Sequence, residues 1–245
     1  MELPSTGMDP DWTGNAGIIN RHFLRDLDHL WESVLKLSAV VEQTLRTAVQ
    51  ALCTGQLELA ARVKQHEPEI NRWEVEIEQE CLKILALHQP VASDLRRVAG
   101  VMKINGDLER MADLADHIAN RTRKLLADPY PVPIPHLLEE MAEAALLEVH
   151  NSFDALAHCD ADLARVVIEN DRGVDQMQRQ VLTELKGAIL RQPDRLTEWL
   201  RLINTARNLE RISDHATNIA EAVIYIKEGQ IIRHVVDRRR SHATE

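Results

Sequence analysis

Aromatic residues make up 3% of this 245-residue chain, and glycine and proline number nine each. β-strands favour aromatic and β-branched side chains, so a sheet-built fold has little to draw on. Ala, Leu, Glu, Arg and Gln abound instead, and these form helices readily. The expected class is all-α. The three cysteines, Cys53, Cys81 and Cys159, make no C-x-x-C pair and are odd in number. That excludes a disulfide framework, and they read as small core side chains at apolar helical positions in a reducing compartment. No run approaches 18 uninterrupted apolar residues, so no membrane span is expected. Glu2, Asp9 and Asp11 stand where a secretory signal would need an apolar stretch. Positive charge is short as well: the formal net charge is −10, which argues against non-specific nucleic-acid binding. The basic run Arg238–Arg239–Arg240 reads as a solvated end. A cytoplasmic protein is expected.

Proline is concentrated rather than spread. Four of the nine fall in D-P-Y-P-V-P-I-P-H, residues 128–136, where alternate prolines rule out a helix and favour a stiff extended linker. It separates residues 21–127 from 137–236, between an N-terminal tail (1–20) and a C-terminal tail (237–245). Each half reads as three helices. In the first half, Leu30, Val34, Leu37, Val41, Leu45, Ala48 and Leu52 form one apolar stripe, and Ile70, Trp73, Ile77, Cys81 and Ile84 another. Pro68 is expected to kink or break the second helix. Gln89–Pro90 is expected to open the third, which carries Leu108, Met111, Ala115, Ile118, Thr122 and Leu125. The second half offers Leu138, Met141, Ala145, Val149, Leu156 and Cys159, then Val174, Met177, Val181, Leu185 and Ile189, with Gln192–Pro193 opening a sixth helix.

The halves are copies. A shift of 101 lays D-L-E-R-M-A-D-L-A-D-H-I-A-N (107–120) on N-L-E-R-I-S-D-H-A-T-N-I-A-E (208–221), with seven of the fourteen positions identical. A shift of 104 lays Ile70 on Val174 and Ile77 on Val181. The expected fold is two tandem three-helix bundles related by an internal repeat.

The repeated segment carries Glu109 with Asp113 and Glu210 with Asp214, each pair at i, i+4 on one helix face. Asp116 and Asn120 continue the first stripe; Thr217 and Glu221 continue the second, with Asn218 beside them. The preceding helices offer Glu67 with Asn71, and Asp171 with Asp175. Antiparallel packing of neighbouring helices turns each set of pairs into one acidic groove. Carboxylates about 4 Å apart repel by roughly 1 kcal/mol in water and about 4 kcal/mol at an intermediate dielectric. Such a groove calls for cations, protons or basic partners, and oxygen ligands suit hard ions. A charged helical stripe is otherwise a solvated face, with Arg110 and Arg211 as local counter-charges, so the spacing alone leaves metal binding and plain solvation both open. His117 and His215 read as solvated or core-edge residues; Trp12, Trp31, Trp73 and Trp199 read as packing residues. No E-x-x-H occurs, which opposes a ferritin-like di-iron oxidase. There is no phosphate-binding glycine loop and no nucleophile elbow.

N-L-E-R-I-S-D-H-A-T-N-I-A-E-A-V-I-Y-I-K-E-G-Q-I-I-R-H (208–234), together with Q-P-V-A-S-D-L-R (89–96) and D-L-E-R-M-A-D (107–113), resembles the PhoU family of accessory proteins of bacterial phosphate-specific transport. The resemblance covers roughly residues 22–236. It implies two three-helix bundles and divalent or multinuclear metal (iron, manganese, magnesium or zinc) at Glu109, Asp113, Glu210 and Asp214. Glu67, Asn71, Asp171 and Asp175 would face them, with Asp116, Asn120, Asn218 and Glu221 as outer support. Asn71 departs from the acidic pattern and implies a weaker first site. The implied role is non-enzymatic: negative regulation of the phosphate-starvation response, linking the phosphate ABC transporter's ATPase subunit to a membrane sensor histidine kinase. A homodimer peripheral to the membrane, without nucleic acid, is implied too. The readings set against it are a carboxylate-bridged metalloenzyme in a helical bundle and a metal-free helical scaffold.

Overall fold

A computed structural model describes residues 11–232, with side chains from residue 21 onward. The described chain is six helices: α1 Asp11–Thr54, α2 Leu57–His88, α3 Ala92–Leu126, α4 His136–His158, α5 Ala161–Arg191 and α6 Leu196–Glu228. Helices α1–α3 pack on one another, as do α4–α6. The two bundles meet through α3 against α6 and α1 against α4, leaving α2 and α5 on the outside. The architecture is all-α, with two three-helix bundles in tandem.

The apolar stripes become the core. Leu30, Val34, Leu37, Val41, Leu45, Ala48 and Leu52 on α1 are buried, as are Ile70, Ile77, Cys81 and Ile84 on α2. The 104-residue shift also relates α1 to α4, superposing Val34 on Leu138, Leu37 on Met141, Val41 on Ala145, Leu45 on Val149 and Leu52 on Leu156, all ten buried.

Several boundaries differ from expectation. Helix α1 already begins at Asp11, so part of the segment expected as a tail is helical. Residues 1–10, the C-terminal tail 237–245 and the Arg238–Arg240 run lie outside the described residues, as does the Trp12 side chain. Helix α2 runs through Pro68 without a break. A proline there removes one hydrogen bond and crowds the preceding turn. Ala60 and Val63 before it and Ile70 and Ile77 after it are buried, and that packing on both sides keeps the helix continuous. Neither Gln–Pro pair opens an α-helix. Gln89 ends α2 in the left-handed conformation (φ 47°) and Val91 is extended, so α3 starts at Ala92. Pro193 heads a single 3-10 turn, Pro193–Arg195, ahead of α6. Cys159 is not a helical core residue but the left-handed cap of α4 (φ 48°). Next to it the Asp160 carboxylate accepts from the Asp162 and Leu163 amides and starts α5. Burial drives the Cys81 thiol up to about 12 and the Cys53 thiol up to about 11, so neither is a reactive thiolate.

The proline linker is pinned rather than loose. Arg195 donates to the Tyr130 carbonyl (2.5 Å) and pairs with Asp128 (3.1 Å) and Glu198 (3.5 Å). None of the described helices is long and apolar enough to cross a membrane.

Candidate metal-binding grooves

The acidic pairs of the second half converge. Asp171 and Asp175 on α5 face Glu210 and Asp214 on α6. Burial raises the Glu210 carboxyl, and Asp214, Asp175 and Asp171 raise it further. Asp214 is likewise raised by burial and then by Asp171 and Asp175, against a smaller pull from His215 and Arg211. A fifth carboxylate joins from α4: Glu148, only 7% exposed. Ser213 donates to Glu148 and lies 3.5 Å from Asp171 Oδ1, so one hydroxyl ties α4, α5 and α6 together. Burial pushes Glu148 up to about 7; the Ser213 bond pulls the other way, and Asp171, Asp175 and Asp214 add to the rise. Nothing in the spacing of the L-E-R-x-x-D stripe pointed to Glu148. The available signal was an acid inside an apolar helical stripe, between Ala145 and Ser152 on the core-facing side of α4.

The first half is thinner. Burial raises Glu109, followed by Asp113 beside it and by Glu74 on α2. Glu74 was not among the expected residues. Asn105, one turn ahead of Glu109, donates to the Glu74 carbonyl (2.8 Å) and fixes the α2–α3 register there. Glu67 and Asn71 are both exposed on α2, and Glu67 is not among the charges that shift Glu109. The 104-residue shift places Thr44 opposite Glu148, and the 101-residue shift places Ala112 opposite Ser213, so the buried carboxylate and its hydroxyl partner belong to one half only.

The positions expected as outer support have partners of their own. Asp116 and Asn120 line a separate groove of about 240 Å³ with Lys64 and Arg123, and Asn120 accepts from Arg123 (3.0 Å). Asn218 donates across the bundle seam to Asp107 (3.2 Å), and Glu221 lines a cavity at that seam. Both are turned toward α3 because α6 shows one face to α5 and another to α3. His215, expected as a solvated or core-edge side chain, pairs with Asp107 (2.8 Å) on the same seam. His117 is exposed. Trp31 packs under the Arg97 guanidinium (4.8 Å), Trp73 is half-buried and Trp199 is buried.

The donor set of the second groove, carboxylates with one hydroxyl and no thiolate, suits a hard cation. Its carboxyls raise one another, an excess of negative charge that a cation would relieve. Among the described residues, no three His, Cys, Asp or Glu side chains stand close enough together to enclose an ion as they are placed. The groove is charged for a cation but open.

Two tandem helical bundles with an acidic groove in each half define a duplicated all-helical protein. The PhoU domain profile matches residues 34–122 and again 138–223, and the chain belongs to the PhoU family. It is 35% identical over 221 residues to the phosphate-specific transport system accessory protein PhoU homolog of Pseudomonas aeruginosa, covering 89% of this chain and 90% of that one. The Aquifex aeolicus homolog is 38% identical over 210 residues, covering 86% and 95%. The crystal structure of PhoU from Pseudomonas aeruginosa superposes with a TM-score of 0.82 at 35% identity, over 85% of this chain and 100% of that one. The phosphate transport system regulatory protein PhoU from Streptococcus pneumoniae gives 0.76 at 27% identity, over 85% and 98%. The family is one of accessory and regulatory proteins of phosphate transport, not of enzymes.

Proposed function

We propose that the chain is a negative regulator of the phosphate-starvation response. In this reading it couples the phosphate ABC transporter's ATPase subunit to a membrane sensor histidine kinase at the cytoplasmic face, as a dimer whose acidic grooves hold divalent cations. The relatives' names support the phosphate-transport setting. The metal reading rests on one observation: five carboxylates, Glu148, Asp171, Asp175, Glu210 and Asp214, influence one another in the second half. Glu210 and Asp214 from α6 and Asp171 and Asp175 from α5 would hold the ion, with Glu148 below them positioned by Ser213. A bound divalent ion would supply charge neutralisation, locking α4, α5 and α6 in register so that the bundle surface offered to partners is fixed. The first groove, with Glu109, Asp113 and Glu74 and without a counterpart of Glu148, binds more weakly.

Deleting the gene tests the regulatory role. Alkaline phosphatase expression in phosphate-rich medium rises in the deletion strain and returns to the wild-type level when the intact gene is restored. Unchanged expression would contradict the reading.

A further inference from the structure

Acidic side chains outnumber lysine and arginine 39 to 29 in this chain, and cations such as Lys36, Arg46 and Lys83 stand in ion pairs with Glu32, Glu42 and Glu80. Helices α3 and α6 break that pattern. Among the described residues Lys103, Arg121, Lys124, Arg207 and Arg211 make no ion pair, and Arg110 reaches only its chain neighbour Glu109, at 3.5 Å. All six belong to the seam between the two bundles. Lys103 and Arg110 line a cavity of about 420 Å³ there. Arg121 donates to Asn208 across the seam when the Asn208 amide is oriented to satisfy both of its ends. Lys124 continues the Lys103–Arg110 face of α3, and Arg207 and Arg211 precede the seam residue His215 on α6 by successive turns. The carboxylates on this seam are Asp107, which His215 and Asn218 already engage, and Glu221.

The seam is open on one side. Helix α1 meets α4 behind it, whereas α2 and α5 do not touch each other, so nothing among the described residues covers the front. Lys103, Arg110, Lys124, Arg207 and Arg211 are exposed. Gly106 is exposed on the same face, mid-helix, where glycine weakens a helix. Packing within the chain does not account for it, because a Cβ there would meet nothing within 4 Å. A bare backbone at that point admits the close approach of another chain. The acidic grooves flank this face on both sides, since α3 lies between α2 and α6, and α6 between α3 and α5. Arg110 and Arg211 mark the border, each near enough to pull down the adjoining groove carboxyl, Glu109 or Glu210.

We infer that the open side of the α3–α6 seam docks one acidic helix of a partner protein. The cations run along the seam from Lys103 to Lys124, about 30 Å at 1.5 Å per residue, which is the length of a helix of about 20 residues. They form a stripe one groove wide. A single helix, about 10 Å across, fits along that stripe and meets cations only. A broad anionic surface such as a bilayer would also face the carboxylates of the two flanking grooves and be repelled by them. Charge complementarity of this kind sets the register and the choice of partner. The inference does not rest on the metal reading, since Glu210, Asp214 and their α5 partners make no part of the seam.

Fluorescence anisotropy of a labelled synthetic peptide tests it, with the full-length protein in chelator so that groove metal plays no part. The probe is an alanine-rich helix of about 20 residues with glutamates along one face. It binds the wild-type protein, and binding weakens as salt is added. A Lys103→Glu/Arg207→Glu double variant binds it about tenfold more weakly. Gly106→Leu also weakens binding, with every charge in place, because its side chain occupies the seat of the docked helix. Circular dichroism melting confirms that each variant remains folded, and the double variant, changed only at exposed positions, decides the matter should Gly106→Leu unfold. A peptide that fails to bind, or that binds wild type and the double variant equally, would overturn the proposal. So would retention of the protein on phosphatidylglycerol vesicles without binding of the peptide, which would make the seam a bilayer contact.

Discussion

Ser213 on α6 donates its hydroxyl to the Glu148 carboxylate on α4, at 1% and 7% exposure respectively. Buried carboxylates resist ionisation, and three neighbouring aspartates strengthen the resistance here. The Glu148 carboxyl is therefore raised from 4.5 to about 7. A raised folded-state value means stability that is complete below the unfolded value and lost as pH climbs through the folded one. Metal-free protein should lose about 1–2 kcal/mol between roughly pH 5 and pH 8, after allowance for solvent screening. Glu148→Gln should flatten that loss and melt higher than wild type at pH 8 in chelator. Parallel melting curves for the two proteins across this range would refute the account.

Asp26 works in the opposite sense at the α1–α2 contact. Burial alone would raise it, but hydrogen bonds from Arg25 (3.2 Å) and His88 (3.4 Å) and the charges of Lys83 and Arg25 outweigh burial and hold it below the usual carboxylate range. Its contribution is present above the unfolded value of 3.8 and lost as pH falls through the folded value. Asp26→Asn should cost roughly 1 kcal/mol at pH 7. The cost should vanish once acid has protonated the wild-type carboxyl, which urea melts at the two pH values measure.

Gly100 and Gly106 lie less than two turns apart on α3 and should respond oppositely to alanine. A Cβ at Gly100 would run into the Ile226 side chain, where α3 and α6 press together; one at Gly106 meets open space. Gly100→Ala should destabilise by about 1–3 kcal/mol, and Gly106→Ala should stabilise by about 0.5–1 kcal/mol. Chemical denaturation of the two single variants settles the pair.

Helix stripes such as Val34–Leu37–Val41–Leu45 were legible in the sequence because a 3.6-residue period records which face is buried. The repeat made Asp171, Asp175, Glu210 and Asp214 legible as one groove, since coincidence does not readily place two acidic pairs at matching offsets. Glu148 was not legible that way. Its repeat counterpart is Thr44, so no duplication marked it, and its importance comes from three-dimensional closeness to α5 and α6. The seam contacts of Asp107 with His215 and Asn218 were hidden for a related reason: the register of α3 against α6 is set by packing across the bundle, not by local spacing. The break that local propensity allows at Pro68 does not occur, because apolar contacts on both sides hold the helix together.

The inequality of the two grooves carries its own expectation. Glu148→Ala removes a carboxylate that the first half lacks, so metal bound by the protein should fall while the contribution of Glu109 and Asp113 stays. Glu109→Ala should remove the smaller share. Titration of chelator-treated protein with manganese, followed by its effect on water relaxation, resolves the two classes; a single class insensitive to Glu148→Ala would contradict the inequality.

The most direct measurement of the central claim is the metal content of protein purified without chelator, in wild type and in a Glu210→Ala/Asp214→Ala double variant. The account predicts bound divalent metal in the wild type and loss of most of it in a variant that remains helical. A metal-free wild type, or equal metal in both proteins, would contradict it.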